Sequence, residues 1–302
     1  MAFNFMNRYF YGKAGQADYT PDQLPGNRRQ LFFEMLKVRF TGIMGVNLLF
    51  VLFCLPALAW TVVHVQLLFS LGAADTAQNY VADGMLLIYL VGMIPCMGLS
   101  GIGATGEMYI LRNWARDQHS FVMSDFKDAV KGNWKCGLLV GLLNGLSLLL
   151  ASVCYTFYGQ LAQGNMLWIV PQMLSVMLCV VWWMANMLIF PMMVTYEMKF
   201  LQLVRNSVIM AIARLPWSVL FLAITALVPA LIVFLVPYGY LATLLFCLLI
   251  GFGLAGFIYA SYANSCFDRY LNPRIAGAPV NLGMREPDED EDEASQEPEM
   301  KG

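Results

Sequence analysis

Apolar residues run almost unbroken over six stretches of this chain, at residues 42–65, 84–106, 137–157, 166–195, 217–236 and 240–263. Each can cross a bilayer, whose hydrocarbon core of roughly 30 Å takes about 20 residues of helix. Three shorter stretches show the helical period of an amphipathic surface instead. Leu31, Phe32, Met35 and Leu36 share a face before the first run. Val122, Phe126, Ala129 and Val130 do so before the third, and Leu201, Val204, Val208 and Ala211 before the fifth. The pattern predicts an all-α polytopic membrane helix bundle, with six transmembrane helices and three interfacial amphipathic segments. Residues 1–41 then form an arm and amphipathic helix, and residues 42–263 the six-helix domain. Residues 264–302 form a tail that is acidic and, by composition, disordered from 285. No cleavable signal peptide is expected, because the first apolar run begins only at Gly42.

Composition excludes the soluble alternative. Only 13% of the residues are charged and the mean hydropathy is +0.61, against about 25% charged in soluble domains. Charge then sets orientation. The arm, the loop after the second run, the loop after the fourth and the tail carry six, five, three and four of the 18 Lys and Arg residues. The connections on the other side carry none. Cytoplasmic loops hold the Lys/Arg excess, so both termini are expected in the cytoplasm. Nine acids follow Arg285, which makes the formal net charge of −2 a property of the tail and leaves the body basic. No basic surface interleaved with aromatics suggests nucleic acid.

Candidate chemistry is sparse. Gly101-Ile-Gly-Ala-Thr-Gly106 and Gly251-Phe-Gly-Leu-Ala-Gly256 have the spacing of a dinucleotide loop but sit in membrane runs, where no strand precedes them. Close helix packing is the better reading. Gly137, Gly141 and Gly145 state it more cleanly, as small residues on one helix face; whether the partner is another span or another subunit stays open at this level. Pro95, Gly101 and the glycines around them suggest that the second span is bent or broken. Glu107 and Arg112 follow it as a near-membrane acid–base pair. With Arg116, Pro95 and Gly101 they make a candidate docking or gating surface. Asn47, Asn144 and Asn186 read as glue between helices, and His64 as a packing group. His119 reads as solvated. The seven cysteines have no CxxC spacing, so neither a disulfide nor a metal site is expected. No nucleophile–base set or carboxylate pair lies in the spans, so the chain does not read as an enzyme, and no cofactor is expected. Three units of amphipathic segment, span, short turn and span begin near Asn27, His119 and Lys199; nothing in their residues repeats closely enough to establish duplication.

The stretch holding Gly103-Ala104-Thr105-Gly106, Tyr109 to Arg112, and Phe126-Lys127 leading to Asn133 and Trp134 resembles the YesL-like family of bacterial membrane proteins, DUF624. The likeness extends over roughly residues 42–272, mostly as topology. It implies a bacterial, Gram-positive plasma membrane and an accessory role beside carbohydrate uptake of the ABC type. It implies no catalytic residue. Two functions are therefore expected to compete. One is a scaffold that binds transporter subunits or further copies of itself in the bilayer. The other is a pore or facilitative transporter for a small neutral solute, with a water path along residues 95–106 and the asparagines.

Overall fold

A computed structural model describes residues 24–70, 84–236 and 238–285. Helix α1 spans Arg28–Ser70, α2 Met85–Trp114 and α3 Val122–Ala162. A 3-10 turn at Met166–Trp168 leads into α4, Ile169–Met193, and the shorter α5 covers Phe200–Ala213. Helix α6 is Leu215–Leu235, α7 Gly239–Phe246 and α8 Phe252–Tyr270. A π-helical turn at Cys247–Gly251 joins α7 and α8 into one span. Among the described residues six helical spans are long and apolar enough to cross a membrane, and there is no strand. The protein is a polytopic helical membrane protein.

The structure departs from the sequence reading at several points, among them α2, which runs past Gly106 to Trp114. The first two amphipathic segments are not separate elements. Each runs without interruption into its span, in α1 and in α3, because no helix-breaking residue parts them. Only the third stands alone, as α5. The second span is not broken: α2 passes through Pro95 and the glycines as one helix. In a packed bundle neighbouring helices supply the contacts that a proline forfeits. The last span does not stop at Ala263 but continues to Tyr270 and a 3-10 turn at Asn272–Arg274. Residues 275–285 fold back, and the Arg285 amide donates to the Pro25 carbonyl at 3.1 Å. The expected disorder from 285, the arm before residue 24 and the loop at 72–83 lie outside the described residues.

Burial is lopsided. In α2 it falls on residues 98–114, in α4 chiefly on 184–193 and in α8 on 253–268. These are the span ends at which the described bases gather. There Ile43, Ile110, Leu111, Leu188, Met192 and Phe257 are closed from solvent. The other ends carry exposed apolar side chains, such as Leu87, Ile88, Leu150, Val153, Leu231 and Phe234. Helix α6 is the extreme, with 6% of its most apolar window buried. A lipid-facing surface needs no burial, since lipid tails are as apolar as leucine.

Candidate functional site

The α2–α3 seam brings backbone against backbone. A methyl group at Gly101 would stand 2.2 Å from the Gly137 carbonyl oxygen, and one at Gly141 2.2 Å from that of Met97. Gly145 sits over the Ile94 backbone, where its added carbon would lie 2.6 Å from Cα. The three-glycine ladder therefore meets another span of the same chain, and Gly101 is its opposing surface. Pro95 lies in the same stretch of α2, beside Ile94.

The asparagines close further seams. Asn144 of α3 accepts from the Asn186 side chain of α4 at 2.5 Å and from the Trp182 indole at 2.9 Å, and returns a bond to Asn186 at 3.1 Å. Replacing Asn144 with alanine removes the shared acceptor. The expected cost is about 1 kcal/mol in reversible unfolding in detergent, and unchanged stability would count against the pairing. Asn47 of α1 straps the π turn, donating to the Leu248 carbonyl at 2.8 Å and accepting the Gly253 amide at 2.8 Å.

A polar network ties the basic end together. Asp268 of α8 accepts Arg28 from the start of α1, the Asn272 amide group and, at 3.2 Å, the backbone amide of Asn281. Asn272 in turn accepts the Tyr196 hydroxyl at 2.5 Å, and Arg28 donates to Asn281 at 2.8 Å. One carboxylate thus joins α1, the α4–α5 connection, α8 and the returning chain. Arg116 belongs to this group. It is buried, it is attracted by Asp268, and two of its nitrogens have no hydrogen-bond partner. Burial lowers its basicity, partly offset by Asp268 and Tyr196. Burial pushes the Tyr196 phenol up to about 12, so it remains a neutral donor.

Glu107 and Arg112 do not pair. Five residues along a helix is a rotation of roughly 140°, which aims the two side chains at different neighbours. Arg112 donates to Asn113 and, at 3.2 Å, to the Thr195 hydroxyl, and lies 5.4 Å from the Tyr109 ring centre. Glu107 turns into the bundle toward Gly256 of α8. Beside Arg112 opens a cleft of about 480 Å³, lined by Tyr109, Asp125, Asp128, Thr195, Tyr196 and Glu197 among others. Three carboxylates face it and its lining holds no base.

Asp268, Asn272 and Tyr196 were not evident as site residues. A partial signal exists: Gly253, Gly256, Phe257, Ala260, Asn264, Phe267 and Asp268 follow one helical stripe, so Asp268 falls on a core face. Nothing local reveals that Arg28, 240 positions away, meets it. Comparison with known proteins returns no family model, no curated protein and no solved structure that matches the chain.

Proposed function

We propose that this protein is an accessory component of carbohydrate uptake in a bacterial plasma membrane, a scaffold that binds transporter subunits within the bilayer and conducts no solute itself. The basic end faces the cytoplasm, where the Lys/Arg excess is retained. The sugar-uptake part of the reading rests on the likeness of residues 103–134 to the YesL-like family.

One observation favours the scaffold over the facilitator. A water path along residues 95–106 needs room beside α2, and that stretch packs backbone to backbone against Gly137 and Gly141. The asparagines that would line such a path are committed to partners inside the chain. Meanwhile the ends away from the bases, and α6 in particular, leave apolar flanks that lipid or a second membrane protein can cover.

Affinity purification in a mild detergent, followed by identification of bound proteins, tests the proposal. The expected result is stoichiometric recovery of membrane subunits of a sugar-uptake system. A clean monomer, under conditions that keep known uptake complexes intact, would sink it. Single cysteines placed along residues 95–106 are expected to resist a water-soluble thiol reagent. Reaction along the series would favour the facilitator for a small neutral solute instead.

A further inference from the structure

Among the described residues, Glu107 is the buried acid that the polar network does not use. It lies on the buried face of α2 and is 4% exposed, and its Oε1 has no hydrogen-bond partner. It makes no ion pair with any described residue. Across from it α8 presents Gly256, where an added methyl group would stand 3.6 Å from the carboxyl carbon and 2.7 Å from Leu111. The carboxyl thus lies within van der Waals range of this position on α8, which carries no side chain.

The surroundings hold nothing that balances a negative charge. From α1, the facing residues 42–54 contribute one titratable group, the Cys54 thiol, which lies within electrostatic reach of Glu107. The π turn adds Cys247, which interacts with Cys54. Residues 252–258 of α8 and 184–193 of α4 contain no Asp, Glu, His, Cys, Tyr, Lys or Arg. On α3 the stretch at this level is 126–136, where Gly106 meets Phe126 and Val130; its Lys127, Asp128, Lys131 and Lys135 are exposed and its Cys136 is half-buried. On α2 itself, Arg112 is turned to Asn113 and Thr195. An ionised carboxylate in such a place would be an unpaired buried charge, which proteins avoid by neutralising the group.

We propose that Glu107 is a proton-binding site: the closed bundle holds its carboxyl as the neutral acid at the contact of α1, α2 and α8, and loss of that proton loosens α8 from α2. The π turn strapped by Asn47 lies just ahead of Gly253 and Gly256. Turns of this kind often mark functional positions in helices, and this one gives α8 a place to shift. The ligand is the proton, and the site needs neither a partner protein nor a solute.

Dicyclohexylcarbodiimide tests this on the full-length protein in detergent. It is an apolar reagent that reacts with a protonated carboxyl. The acid O–H adds across one C=N bond, its proton going to nitrogen and its oxygen to the central carbon. The acyl carbon–oxygen bond then breaks as an acyl–nitrogen bond forms, leaving a stable N-acylurea with no change of oxidation state. Peptide mass mapping is expected to find the adduct on Glu107, falling at least severalfold as pH rises, while a water-soluble carbodiimide labels the exposed acids and spares it. A second measurement follows thermal unfolding against pH for the native chain and Glu107→Gln. A proton bound in the folded state alone makes folding weaker as pH rises. The native midpoint should therefore drop relative to the variant toward alkaline pH. No adduct on Glu107 at any pH, or midpoints that run parallel across the range, overturns the proposal.

Discussion

Gly141→Ala is expected to cost about 3 kcal/mol or more, enough to leave little folded protein. The added methyl carbon would stand 2.2 Å from the Met97 oxygen and 2.8 Å from the Gly98 Cα. Both are backbone atoms, so no side-chain rotation relieves the clash. The helices must part, and parting them also opens the Gly101–Gly137 and Gly145–Ile94 contacts of the same seam. The same substitution at Gly132, in the same helix, meets nothing within 4 Å. There it should be neutral or add up to about 1 kcal/mol, the intrinsic preference of a helix for alanine. Unfolding in detergent, read by circular dichroism, compares the two. If both variants unfold at the same point, the seam is not as close as described.

Asp268→Ala should destabilise the basic end by about 3 kcal/mol, because breaking a buried pair strands the partner charge. Asp268 is 8% exposed and is the carboxylate that answers both Arg28 and Arg116. Without it, the start of α1 and the returning chain at Asn281 lose a common anchor. The loss is therefore expected to be local first. Trypsin should cut at Arg274 faster in the variant than in the native chain, before global unfolding. Arg28→Met should cost less, because the Arg28 side chain is 28% exposed and water already shares its solvation. Equal cleavage rates in the native and Asp268→Ala proteins would show that the network does not hold the returning chain.

The site was less legible than the fold for a physical reason that particular residues make plain. Gly137, Gly141 and Gly145 announce a close packing face, because only small residues permit backbone contact. They do not say which helix arrives. Glu107 and Arg112 are near in sequence and opposite in charge, and proximity along the chain suggested a pair. Helix rotation separates them, and the tertiary neighbours Thr195 and Gly256 claim each one. Pro95 among glycines suggested a break, yet α3 packs so tightly on α2 that the helix continues.

Six spans and the gathering of bases at one end follow from runs and counts along the chain. A bilayer rewards any uninterrupted apolar helix of sufficient length, whatever it packs against. That part of the answer is local, so the sequence carries it. The meeting of Gly101 with Gly137, of Arg28 with Asp268, and the isolation of Glu107 between α1 and α8 depend on which faces come together across up to 240 residues. Only the assembled bundle decides those, because the energy of each contact exists only once both partners are in place.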